Sequence, residues 1–220
     1  MYLGHSEELT KFNAEMKSIY HVCRFVCENI KPKIILDLGS RYGEGFDLFG
    51  NFFKGVYIFV EPNPKCFEKI TDVIEKFKGL NSFEFFPGVL GEKEGTSKMK
   101  IFSSDNDQSS NLYTDRSGKY GETEEIEINV FPYEKIESES INFAKINIEG
   151  GEYDLIESGF FNKIQNFIME VHNHEWIEGK SYKDILDRLG SDYDMMTYGN
   201  LNYKYCFIVG AKIDKDCIQR

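Results

Sequence analysis

The chain has 220 residues, with 26 Lys and Arg against 37 Asp and Glu, a formal charge of −11. That length suits one domain with a sizeable core, and the acidity repels phosphate backbones, so nucleic acid is not expected as a partner. No run of eighteen apolar residues occurs, so no membrane span is expected. Met1-Tyr-Leu-Gly-His-Ser-Glu-Glu8 lacks the basic and apolar regions of a signal peptide. Cys23, Cys27, Cys66, Cys206 and Cys217 form no C-x-x-C pair and are odd in number, which reads as reduced thiols of a cytoplasmic protein.

Leu9, Phe12, Met16, Ile19, Cys23, Val26 and Ile30 step by three and four, one face of a long amphipathic helix. Ser6 is its expected N-cap and Lys31-Pro32 its end. This extension, residues 1–31, reads either as packing on its own domain as a lid or as a homodimer contact. Ile34-Ile-Leu-Asp-Leu-Gly-Ser-Arg-Tyr-Gly-Glu-Gly45 then gives a buried strand, a turn carrying Gly39 and Gly43, and a helix start. Glycine admits close backbone approach, and a helix start offers unpaired N–H groups to an anion. Val56-Tyr-Ile-Phe-Val60 is a second strand ending in Glu61, placed to accept hydrogen bonds from ribose hydroxyls. The pair points to a nucleoside-containing cofactor.

The spacing selects among cofactors. A dinucleotide turn of the form G-x-G-x-x-G starting at Gly39 needs glycine at 41 and 44, where the chain has Arg41 and Glu44. Asp37 and Glu44 would also meet a pyrophosphate with only Arg41 to offset them. S-adenosylmethionine, which carries a sulfonium and an ammonium but no phosphate, fits this acidic turn better.

Pro64 to Phe77 reads as a helix opened by proline, and Phe83 to Phe86 as a third strand. Residues 91–130 break the rhythm, with strand-like runs at Met99–Phe102 and Glu125–Val130 around a polar stretch. They read as a substrate-side flap or as a floppy surface loop. Phe143–Ile148 and Phe167–Val171 are further core strands, with helices at Glu152–Glu157 and Ser181–Leu189. Met195–Tyr198 and Tyr203–Val209 are joined by a turn too short for a parallel crossover, so they are antiparallel. The expected fold is α/β, a doubly wound, mostly parallel Rossmann-like sheet with an antiparallel C-terminal hairpin strand, in a single domain spanning 1–220.

In Ala144-Lys-Ile-Asn-Ile-Glu-Gly-Gly-Glu152 side-chain alternation puts Lys145, Asn147 and Glu149 on one strand face. Glu170 and His172 repeat the pattern on the next strand. Five polar groups on faces that a parallel sheet normally keeps apolar need a reason. For Lys145 and Glu170 a buried ion pair suffices. Glu149 and His172, nearer the strand tips, read as functional.

Asp37-Leu-Gly-Ser-Arg-Tyr-Gly43, Val60-Glu-Pro-Asn63, and Lys145-Ile-Asn-Ile-Glu-Gly-Gly-Glu152 with Glu170-Val-His172 resemble the FkbM family of S-adenosylmethionine-dependent methyltransferases. The resemblance runs from Ile34 to Asn173, and Ser109-Ser-Asn-Leu112 resembles the family's serine-rich middle step. It implies O-methylation of a hydroxyl on a sugar or polyketide, many members lying in glycan biosynthesis. Where the family has Lys-x-Asp-x-Glu-Gly, this chain has Asn147, which keeps the shape and an acceptor but cannot be a base. The candidate cofactor-binding residues are Asp37, Gly39, Ser40, Tyr42, Gly43, Glu61, Pro62, Asn63, Gly88, Val89, Ser110 and Asn147. The candidate catalytic residues are Glu149, His172, Asn147 and Lys145. His172 qualifies as a base by intrinsic pKa and Glu149 by motif. His172 and His174 with a glutamate make a thin metal set, and none is expected. Two other readings stay open: a nicotinamide-dependent oxidoreductase, and a cofactor-binding module without catalysis.

Overall fold

The structure is a computed structural model, and it describes residues 19–102, 123–136, 140–172, 180–198 and 205–213. In chain order the main elements are α1 (Ile19–Asn29), β1 (Ile34–Leu38), α2 (Glu44–Phe49), β2 (Val56–Val60), α3 (Phe67–Phe77) and β3 (Ser82–Phe86). There follow β4 (Gly88–Gly91), β5 (Gly95–Phe102), β6 (Thr123–Pro132), β7 (Phe143–Ile146) and α4 (Glu152–Glu157). The chain closes with β8 (Asn166–His172), α5 (Tyr182–Leu189), β9 (Tyr193–Tyr198) and β10 (Tyr205–Lys212). A 3-10 turn at Pro64–Cys66 precedes α3, with Asn63 as its N-cap accepting from the Lys65 N–H.

Seven strands form one sheet in the order β3-β2-β1-β7-β8-β10-β9. β3, β2, β1, β7 and β8 are parallel, and β10 is antiparallel to both β8 and β9. The expected α/β fold with an antiparallel C-terminal pair is therefore the observed one. Its hydrophobic alternation explains the layers. Leu36, Leu38, Ile58 and Val60 point to one face and share a core cluster with Leu155 and Ile156 of α4 and Ile185 and Leu189 of α5. Ile35, Tyr57 and Phe59 point to the other, under α1, α2 and α3. α5 starts at a capping box in which Ser181 and Asp184 satisfy each other's backbone N–H groups.

The interruption at 91–130 is partly regular structure. β5 and β6 pair antiparallel from Gly95–Val130 to Phe102–Thr123, and β4 joins β6 in parallel, making a second, three-stranded sheet. Met99, Ile101 and Ile128 form its own small core. A floppy loop is thus the wrong description of its two ends. The polar middle, including Ser110, lies outside the described residues.

Within the described part of the N-terminal helix, Ile19, Cys23, Val26 and Cys27 are buried against Ile35 and Ile168 on the sheet's own face. The segment packs on its own domain, and no residue of α1 lines the cavity described below. Deleting residues 1–31 is therefore expected to abolish cooperative thermal unfolding, because it uncovers the core under β1 and β8. A truncated protein with an unchanged melting transition would contradict this packing. Among the described residues no helix is long and apolar enough to cross a membrane.

Candidate active site

Strand order reverses between β1 and β7, and at such a switch point the carboxyl ends of the strands leave a crevice. A cavity of about 420 Å³ opens there, a size suited to a nucleoside-containing ligand. Gly39 after β1, Glu61 to Asn63 after β2, and Asn147 to Glu149 after β7 form its floor. Gly88 to Glu92 and Met99 of the small sheet form one wall, and Tyr133, Asp154, Leu155 and Ser158 another.

The turn after β1 is closed on itself. Gly39 N–H and Ser40 N–H both donate to Val60 C=O, and Gly43 N–H donates to Ser40 C=O. Arg41 N–H donates to Glu61 Oε2 at 2.7 Å and Tyr42 N–H to Glu44 Oε2 at 3.1 Å. The Ser40 hydroxyl bridges Asp37 C=O and Val60 N–H. In residues 39–43 each backbone N–H already has a protein acceptor, so the turn itself holds no N–H out to an anion.

Asp37 is buried beneath this turn rather than in the cavity. Its carboxylate pairs with Lys145 Nζ at 2.9 Å and accepts the Tyr57 hydroxyl at 2.8 Å. Lys145 also donates to Gly39 C=O at 2.6 Å. The ion pair expected between Lys145 and Glu170 is thus replaced by one with Asp37, because the β1–β7 register sets Asp37 beside Lys145. Lys145, held under the floor, is in no position to touch a substrate. Asp37, Ser40, Tyr42 and Gly43 likewise support the turn without lining the cavity. The Tyr42 ring instead lies under the Arg41 guanidinium and the Lys69 ammonium.

Glu61 is on the cavity wall, and its two oxygens accept from Arg41 N–H and Asn63 N–H at 2.7 and 2.9 Å. Burial raises its carboxyl to about 7, against the opposing pull of those two backbone donors. The folded protein therefore holds this proton more tightly than the unfolded chain. Stability contributed by the proton is present below pH 4.5 and is lost as the pH climbs to about 7, on the order of 3 kcal/mol. Glu61→Gln should flatten the stability curve between pH 5 and 7, measured by urea unfolding. An unchanged slope would show that the group is not buried as described.

The tip of β7 carries the second constellation. Glu149 has φ 52, an uncommon left-handed backbone for a residue with a Cβ, and Arg41 on the same wall has φ 49. Such backbones persist where surrounding contacts over-determine them. Glu152, fully buried at the start of α4, accepts from Ile148 N–H at 3.2 Å and Gly150 N–H at 2.9 Å, pinning the turn. His172 Nδ1 meets Glu152 Oε1 at 3.1 Å, while Nε2 lies 3.4 Å from Glu149 and 3.9 Å from Glu170. Burial pushes the imidazole pKa down, but hydrogen bonds and charge from Glu149 and Glu152 outweigh it and hold it well above the ordinary value. His172 is then an imidazolium at neutral pH, already protonated, and not the base its intrinsic pKa suggests. Glu149 lines the cavity and His172 does not. Asn147 donates from Nδ2 to Glu170 Oε2 at 3.0 Å. Burial pushes the Glu170 carboxyl up, opposed by the charge of His172.

The methyltransferase FkbM domain model matches residues 37–205, more than half of the chain. The chain belongs to the FkbM methyltransferase family. Among solved structures, an FkbM methyltransferase from Methylobacillus flagellatus KT superposes with a TM-score of 0.51 at 15% identity, over 81% of this chain and 44% of that one. The chain thus spans less than half the length of that FkbM structure. An rRNA methylase from Streptococcus thermophilus superposes with a TM-score of 0.51 at 10% identity, over 90% of this chain and 99% of that one. At these identities the two show a shared fold. No curated protein matches the chain.

Within this FkbM domain the structure draws Gly39, Glu61, Pro62, Asn63, Gly88, Val89, Asn147 and Glu149 together on one cavity. It adds Glu92, Met99, Tyr133, Asp154 and Ser158, which no strand-tip argument selects because they arrive from the small sheet and from α4. Glu152 was also missed. A charged residue at the first position of a helix reads as an ordinary dipole partner, and only its burial beside His172 distinguishes it.

Proposed function

We propose that this methyltransferase binds S-adenosylmethionine in the switch-point cavity and methylates a hydroxyl of a sugar, in a glycan or a glycan precursor. The observation that carries the cofactor reading is the charge and hydrogen-bonding character of the cavity. Glu61, Glu92, Glu149 and Asp154 line it against one basic side chain, Arg41, among the described residues. The N–H groups of the glycine turn are consumed internally. A pyrophosphate would find an excess of acids and no unpaired N–H in the 39–43 turn, whereas a ligand bearing a sulfonium and an ammonium finds complementary charge. This disfavours the nicotinamide reading for a reason independent of glycine spacing.

The residues present fit the group. Glu61, pre-oriented by two backbone donors, would accept the ribose hydroxyls. Pro62, Val89 and Leu155 offer apolar surface for the base, and Asn147 would meet the methionyl end. S-adenosylmethionine supplies an activated methyl on a positively charged sulfur. The chain's task is then to hold the acceptor hydroxyl in line and to take its proton. Glu149 is the carboxylate on the wall that can take it. A sugar acceptor is supported by the family resemblance, and the net charge of −11 supports an acceptor other than nucleic acid.

Titration calorimetry with S-adenosylmethionine and with NAD tests the cofactor: binding of the first alone is expected, and binding of NAD alone overturns the reading. Affinity should also weaken as the pH falls below about 7, where Glu61 gains its proton. Glu61→Ala should lower the affinity by about 1.5–3 kcal/mol, the scale of hydrogen bonds to a charged group. An unchanged dissociation constant in the folded variant would remove the ribose assignment. Label transfer from methyl-labelled donor to a panel of glycans tests the acceptor. Cofactor binding without transfer to any acceptor would favour a non-catalytic module. Light scattering decides between monomer and homodimer.

A further inference from the structure

Asn147 occupies the position where the family's motif carries aspartate, and its surroundings show what the amide does there. The β7–β8 register pairs Ile146 with Met169, so the next step brings Asn147 level with Glu170. An ionised carboxylate has no hydrogen to donate, so it can meet only the Nδ2 end of the amide. Nδ2 lies 3.0 Å from Glu170 Oε2, and His172 Nε2, 3.9 Å from the other carboxylate oxygen, favours the ionised form. This leaves Asn147 Oδ1 on the opposite side, buried and without a hydrogen-bond partner among the described residues. A buried acceptor left unpaired is uncommon and calls for an explanation. Asn147 belongs to the cavity wall, so a ligand donor supplies one.

We propose that Glu170 is a positioning residue that fixes the amide of Asn147, so that Oδ1 accepts a hydrogen bond from the α-ammonium of the bound cofactor's amino-acid part. The assignment rests on the cofactor reading above. Two steps of the sheet separate Glu61, just after β2, from Asn147, just after β7, about 10 Å at the usual strand spacing. That is the span between the ribose and the amino-acid end of an adenosyl amino acid. Charge agrees, because Glu149 lies on the same stretch of wall and favours a cation there. Aspartate in place of Asn147 would set a second carboxylate against Glu170. The amide supplies the acceptor without that repulsion.

S-adenosylhomocysteine and 5′-methylthioadenosine share the adenosine and the thioether, and only the first has the ammonium. Calorimetry with both probes on the full chain separates the contributions, with thermal melts to establish folding. Asn147→Leu should weaken S-adenosylhomocysteine by roughly tenfold or more, the scale of a charge-assisted hydrogen bond, and leave 5′-methylthioadenosine within about twofold. Glu170→Leu should reproduce this selective loss without touching the ligand. Glu170→Gln, whose carbonyl still accepts from Nδ2, should recover most of it. If Glu170→Leu does not fold, the contrast between Asn147→Leu and Glu170→Gln decides. Equal loss for both probes, or no loss in folded Asn147→Leu, overturns the assignment while leaving the cofactor reading intact. Wild-type protein that binds neither probe overturns both.

Discussion

Glu149→Gln should slow methyl transfer by about 10²–10⁴-fold at saturating cofactor, the usual size of a general-base effect, beyond the loss of affinity that follows from removing its charge beside the cofactor. The substitution keeps the side chain's shape and its place on the cavity wall, and removes its charge and its capacity to take a proton. Three groups otherwise compete for the role. Asn147 cannot ionise, Lys145 is held beneath the floor by Asp37 and Gly39 C=O, and His172 is already protonated between Glu149 and Glu152. His172→Gln keeps a donor toward Glu149 without a titratable ring and should lose far less rate than Glu149→Gln. The measurement is single-turnover transfer of labelled methyl to an acceptor found in the glycan panel, alongside the cofactor dissociation constant. Near-wild-type turnover in Glu149→Gln would mean that alignment alone carries the reaction.

Gly39→Val should destabilise the fold by more than about 4 kcal/mol, the range reached only by severe steric or burial faults. Sequence spacing alone assigns this glycine to the close approach of a ligand. The geometry assigns the penalty elsewhere. A Cβ on Gly39 would lie 1.8 Å from the backbone oxygen of Asn147 and 2.9 Å from its carbon, and the residue has φ 74. The tips of β1 and β7 are locked at this point, since Asn147 N–H donates to Leu38 C=O and Lys145 to Gly39 C=O. Neither backbone can retreat without breaking the other's hydrogen bond. Gly43→Ala is the control. It shares a left-handed backbone, φ 72, but its Cβ would meet Val73 at an ordinary 3.4 Å. Its loss should be limited to the conformational cost, roughly 1–2 kcal/mol. Denaturant unfolding of both variants tests the contrast, and comparable losses would refute the clash.

Much of the architecture is legible because local rules and burial agree along the chain. Ile34 to Leu38, apart from Asp37, and Val56 to Val60 are apolar on both faces, as strands covered by helices on both sides are. The short connection before Tyr205 leaves no room for a crossover, so the antiparallel edge follows from length alone. The ends of the 91–130 interruption were harder to read. Gly95–Phe102 and Thr123–Pro132 pair across a long stretch of chain, so their short alternating runs do not show that they meet each other and β4 in a second sheet.

The chemical site divides along the same line. Residue type and strand position by themselves determine that Glu61, Asn147 and Glu149 stand at the carboxyl ends of parallel strands, where ligands bind in such sheets. Which polar group meets which is set only by register and by the distance between faces. Lys145 could reach a carboxylate on either neighbouring strand, and the β1–β7 register gives it Asp37 rather than Glu170. His172 has an ordinary imidazole pKa until α4 brings Glu152 against Nδ1 and the β7 tip brings Glu149 against Nε2, which turns a candidate base into a fixed cation. Electrostatic interactions fall off over a few ångströms in a protein interior, so a group's charge state belongs to its packed neighbours, and no sequence spacing specifies those before the sheet is assembled.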